Sequence, residues 1–130
     1  MLDHVSLTVA DLATAERFYD AIFDALSVLK VGSNHADLWI GYGERVDAHH
    51  PERSYFFVRQ GPKPEDAPCR HWCVKAETRA AVDAFWRAGS ENGGVDNGKP
   101  GIRAYHTSYY AAFLIDPERN RVEAVGHTDD

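Results

Sequence analysis

Two histidines, His4 and His71, are the residues whose placement could do chemistry. Seven histidines in 130 residues make the residue type uninformative, so position has to discriminate. A shift of 67 residues carries His4 onto His71, Asp11 onto Thr78, and the pair Phe18 and Tyr19 onto Phe85 and Trp86. Four landmarks that coincide without a gap mark two copies of one structural unit. In each copy the histidine opens a strand-like run. Period-two alternation sets it on the face opposite Val5 and Leu7, or opposite Trp72 and Val74. If helices cover one side of the sheet and the other side curls around a cavity, both imidazoles face that cavity. Neutral imidazole is a common ligand for divalent transition metals.

The elements that must position these side chains can be read along the chain. Leu2–Val9 alternates as a half-buried strand. Asp11 is placed to cap a helix on which Leu12, Ala15, Phe18, Tyr19, Ile22, Phe23 and Leu26 form an apolar stripe. Strands are expected near 27–31, 37–42 and 54–60, with a proline-bearing linker over 61–68. The second unit repeats the order: a strand over 70–76, a helix capped by Thr78 and stopping at Gly89, a Gly- and Asn-rich loop over 91–101, a short strand near 102–106, and strands over 109–115 and 121–125. The expected fold is α+β: one domain spanning residues 1–130, made of two tandem βαβββ modules (about 1–60 and 69–127). Its curved, mostly antiparallel sheet encloses a cavity, with the helices outside.

Composition narrows the partners. Fourteen basic residues stand against 20 acidic ones, a formal charge of −6, and no Lys/Arg cluster could neutralise a run of phosphates. Nucleic acid is therefore not expected, and no stretch approaches the roughly 20 apolar residues of a membrane span. The N-terminal residues lack both a basic and an apolar targeting region, which points to the cytoplasm. Cys69 and Cys73, four residues apart in an extended strand, would stand about 13 Å apart, beyond disulfide reach, and are expected as free thiols.

Three strings together carry a family resemblance: Leu2-Asp3-His4-Val5-Ser6-Leu7, His71-Trp72-Cys73-Val74, and Asp116-Pro117-Glu118-Arg119-Asn120-Arg121-Val122-Glu123-Ala124-Val125. In this order and spacing the chain resembles the vicinal-oxygen-chelate superfamily, which groups glyoxalases, bleomycin-resistance proteins and extradiol dioxygenases. The resemblance implies His4, His71 and Glu123 as ligands of one divalent ion. Two imidazoles and a carboxylate suit Fe(II), Mn(II), Ni(II) or Zn(II), with positions left open for two vicinal oxygens of a small substrate. Related small proteins often form homodimers, so the two modules completing one site could belong to different subunits.

Around this triad, Ser6 and Cys73 share the parity of the histidines and are expected in the cavity wall. His106, Tyr109 and Tyr110 precede or begin a strand of the second module and are candidates, with Glu123, for proton transfer or substrate hydrogen bonding. Extradiol dioxygenases carry a tyrosine ten residues before the glutamate, where this chain has Phe113, another expected pocket residue; Tyr109 shares its parity. Glu123 moved back by 67 falls on Phe56, expected to be an apolar wall where glyoxalase I-type enzymes place a fourth ligand. This disfavours a lactoylglutathione lyase. His35, His49 and His50 fall in polar loops, and His127 in the C-terminal tail, where solvated histidine is the default. The alternative to a metal-dependent enzyme is a drug-sequestering binding protein of the bleomycin-resistance type.

Overall fold

A computed structural model describes residues 1–62, 65 and 70–130. The chain runs β1 (His4–Val9), α1 (Leu12–Ala25), β2 (Lys30–Asn34), β3 (Trp39–Gly43), β4 (Tyr55–Gln60), β5 (His71–Lys75), α2 (Arg79–Glu91), β6 (Val95–Ile102), β7 (Tyr110–Ile115) and β8 (Arg121–Gly126). Both helices start where the sequence places their caps: the Asp11 carboxylate accepts from the Thr14 amide, and the Thr78 hydroxyl from that of Ala81. These bonds satisfy amides that have no partner within the helix.

The α+β class and the two βαβββ modules are as expected, but the curved sheet is built in two halves. One four-stranded sheet has the order β1-β4-β3-β2 and the other β5-β8-β7-β6. In each, the first strand pairs in parallel with the last strand of its module and the remaining pairings are antiparallel. One apolar core serves both modules. Phe18, Tyr19 and Ile22 of α1 and Val82 and Phe85 of α2 are fully buried in it, together with Val58, Leu114 and Val122. The modules are also bolted together by polar contacts. The Tyr19 hydroxyl donates to Asp116 at 2.6 Å and the Ala10 amide to Glu118 at 2.7 Å, both in the turn between β7 and β8. Asp116 also accepts from the Asn120 side chain and from the amides of Glu118 and Asn120, so this buried carboxylate is fully occupied.

Three sequence expectations change. Helix α2 runs through Gly89 to Glu91, because Gly89 is where the helix meets β7 and α1: a Cβ there would collide with Leu114 and stand 2.9 Å from Ile22. The Gly- and Asn-rich loop is largely strand β6. Its two register shifts against β7 break the alternation that would reveal a strand, so the short strand expected at 102–106 instead ends at Ile102. The 61–68 linker and Cys69 lie mostly outside the described residues; Cys73 is a free thiol. Among the described residues no helix is long and apolar enough to cross a membrane.

Candidate functional site

Helix packing decides which sheet face is left open. On β1, Leu7 and Val9 are buried against the helices while His4 and Ser6 are exposed. On β5, Trp72 and Val74 are half-buried while His71 and Cys73 are exposed. Both histidines thus point away from the core, as parity requires. They do so on different sheets. His4 lies in a cleft of about 380 Å³ with Ser6, Tyr55 and Phe57; His71 lies in a separate one of about 310 Å³ with Phe113 and Arg121. Among the described residues the two imidazoles line separate clefts, because the shared core sits on the helix side of each sheet.

The second module assembles the denser cluster. Strands β5 and β8 run in parallel with Cys73 opposite Glu123, which brings His71 Nε2 to 2.9 Å from Glu123 Oε2. The other carboxylate oxygen accepts the Tyr109 hydroxyl at 2.7 Å. Glu123 is only 4% exposed, yet among the described residues its side-chain partners are the Tyr109 phenol, the His71 imidazole and the Cys73 thiol, none of which is a permanent cation. Buried carboxylates are normally paired with a positive charge or bound to a metal. The phenol of Tyr109 is held protonated, its pKa raised by desolvation and then by the hydrogen bond to Glu123. Desolvation of the Cys73 thiol, reinforced by the Glu123 carboxylate beside it, pushes its pKa up to about 12. A thiol so protonated at neutral pH is no nucleophile.

The remaining candidates divide by face. Tyr110 is one residue out of phase with Tyr109. Its hydroxyl donates to Asp83 of α2 at 2.8 Å and its ring packs on the core, so it belongs to the helix interface and not to the site. Phe56 is corrected in the same way. It packs on Tyr19, Phe23 and Trp72, with ring centres 5.3, 5.3 and 5.9 Å away. The strand register explains the error, since His4 lies opposite Tyr55 whereas His71 lies opposite Arg121. The repeat shift is therefore 66 in the last strands, and the partner of Glu123 is Phe57, which does face the cleft with His4. A one-residue slip exchanges the two faces of a strand. His106 sits in the exposed turn before β7 with its ring 5.4 Å from that of Tyr109.

His127 was not singled out by sequence, yet its Nδ1 lies 2.9 Å from His106 Nε2 and its ring centre 5.3 Å from that of Tyr109. The signal was available: residues 123, 125 and 127 share one parity. Of the implied ligands, the chain brings His71 and Glu123 together and leaves His4 elsewhere. Among the described residues no group of three His, Cys, Asp or Glu side chains is placed to hold a metal ion.

The chain superposes along its length on several solved structures. A glyoxalase/bleomycin resistance protein from Albidiferax ferrireducens T118 superposes with a TM-score of 0.80 over 98% of this chain and 99% of its own, at 25% identity. The chain has the vicinal-oxygen-chelate fold. Other proteins of this fold match over comparable lengths. A glyoxylase/bleomycin resistance protein/dioxygenase domain from Frankia sp. EAN1pec gives a TM-score of 0.67 at 18% identity, covering 98% of both chains. The fosfomycin resistance protein FosX from Mesorhizobium loti gives 0.68 at 17% identity, covering 99% of this chain and 93% of its own. No family model and no curated protein matches the sequence.

Proposed function

We propose that the protein is a divalent-metal-dependent enzyme of the vicinal-oxygen-chelate superfamily, acting on a small molecule that presents two adjacent oxygens. The ion would be held by His71 and Glu123 of one chain and His4 of a second copy. The observation that carries this reading is the buried Glu123 carboxylate, which accepts the Tyr109 hydroxyl and lies 2.9 Å from His71 Nε2 but has no permanent cation beside it among the described residues. The residues fit such an ion, being nitrogen and oxygen donors on an open sheet face. An exposed His4 on an equally open face supports completion by another copy, because an isologous dimer whose two-fold axis passes between the modules places the first module of one chain against the second module of its partner.

When bound, a divalent ion of this kind supplies Lewis-acid polarisation of substrate oxygens. The chain's own groups would do the rest. Tyr109 holds the proton nearest the carboxylate and fixes Glu123 in orientation. Phe57, standing where a fourth ligand would be, closes that side with an apolar ring; this disfavours lactoylglutathione lyase chemistry.

The test is elemental analysis after loading with Fe(II), Mn(II), Ni(II) or Zn(II). Wild type should bind about one ion per chain, and His4→Ala, His71→Ala and Glu123→Ala should each lose it. A wild type that stays metal-free while still binding small molecules would replace this reading with a sequestering protein of the bleomycin-resistance type.

A further inference from the structure

The first module's open face carries a charge that the metal reading does not use. Beside His4, the Arg45 guanidinium lies 5.4 Å from the Tyr55 ring centre and 5.8 Å from that of Trp39. Among the described residues no carboxylate neutralises it. Glu44 and Asp47, its sequence neighbours, pair with Arg53 at 2.8 and 3.5 Å. Asp3, the acid lining the same cleft, is bonded to His4 Nδ1 at 2.7 Å. An arginine pinned over aromatic rings is pre-organised for a bidentate oxyanion contact.

The surroundings are built around these rings. Tyr55 lies flat across β3 because Gly41 has no side chain; any Cβ there would collide with the Tyr55 hydroxyl. That hydroxyl is buried with no hydrogen-bond partner among the described residues, an arrangement that disfavours burial unless something else holds the ring in place. Phe57 completes the floor, its ring centre 5.6 Å from Trp39 and 6.2 Å from Tyr55. The second module echoes the pattern. In the cleft of His71, the Arg103 guanidinium lies 5.3 Å from the Phe113 ring centre, and Arg121 has no carboxylate partner among the described residues. A chain of net charge −6 thus places uncompensated guanidinium groups beside both histidines. Local charge opposite in sign to the whole protein concentrates ligands of the complementary sign.

We infer that the small molecule taken by this cleft is an aromatic carboxylate, its carboxylate on Arg45 and its ring against Phe57 beside His4. This deepens the function proposed above and rests on it for the role of the cleft; its test uses the first module's groups without the metal. Chelator-treated protein is titrated calorimetrically with benzoate, phenol and benzylamine. Benzoate should saturate wild type and bind at least about tenfold more tightly than either of the others. Arg45→Ala should weaken benzoate by about tenfold or more and Arg45→Lys by less, because a lysine keeps the charge but loses the bidentate contact. Glu44→Ala, which alters an exposed neighbouring charge, should leave benzoate unchanged and so controls for bulk electrostatics and for folding. Benzoate affinity that is undetectable at millimolar concentration, unaffected by Arg45→Ala, equally weakened by Glu44→Ala, or matched by benzylamine overturns the inference. Loss of benzoate binding in a protein that still takes up metal removes this inference alone. Benzoate binding that depends on Arg45 in a protein that takes up no metal supports it while removing the metal reading.

Discussion

The two modules share an element order, a helix cap and a buried aromatic anchor, yet their open faces differ. Opposite His71's neighbour Cys73 stands Glu123; opposite the equivalent Ser6 stands Phe57. The second module adds Tyr109 to its carboxylate, while the first offers aromatic rings and Arg45. Duplication preserved what the core requires, and the open faces, free of packing constraints, carry different chemistry. Under the proposed function the second module would supply most of the metal ligands and the first the substrate floor.

The comparison is sharpest where the modules should behave alike. Phe18 and Phe85 are equivalent and both fully buried, so truncating either to alanine should cost about 3–5 kcal/mol in denaturant unfolding. A cost below about 1 kcal/mol at one of them would mean that the modules do not share their packing. Next in size is the asymmetry of the faces. Glu123→Ala should reduce metal affinity by about 100-fold or more, whereas Phe57→Ala should leave it within a few-fold, as measured by competition with a chromogenic chelator. Equal losses would erase the distinction between the faces. Smaller again is Tyr109→Phe. Removing the hydroxyl that orients Glu123 should weaken metal binding about tenfold with little loss of stability. Its neighbour should do the opposite: Tyr110→Phe breaks only the bond to Asp83, costing about 1 kcal/mol of stability and no metal affinity.

Much of this was legible from sequence because strand parity and a gapless repeat are strong signals. His4 and His71, the caps Asp11 and Thr78, and the buried Phe18, Tyr19 and Phe85 all fall where those rules put them. Trp86, read from the same helical stripe, is half-buried and donates its indole N–H to Asp96, since it sits at the edge of that stripe. The failures have separate physical causes. Between the helix and the last strand the repeat changes from 67 to 66, and an error of one residue turns a strand over; Phe56 was therefore placed in the cleft instead of Phe57. Tyr110 was grouped with Tyr109 although adjacent strand residues face opposite sides. Strand β6 was hidden by its bulges. His127 was lost because a residue after the last strand looks like tail until its rings are seen against His106 and Tyr109. That His4 sits on a different sheet from its two implied partners could not be read from one chain's pattern, since it depends on how the modules pack.

The central claim, that one site draws on two copies of the chain, is tested most directly by mixing. His4→Ala and Glu123→Ala proteins, each expected to be metal-free, are unfolded together, refolded at equal concentration and assayed for bound metal. Mixed dimers would contain one intact site built from His4 of the Glu123→Ala chain and His71 with Glu123 of the His4→Ala chain. With random pairing, metal content should recover to about one quarter of wild type. Recovery of nothing beyond the separate variants, with wild type refolding to full occupancy, would contradict the account.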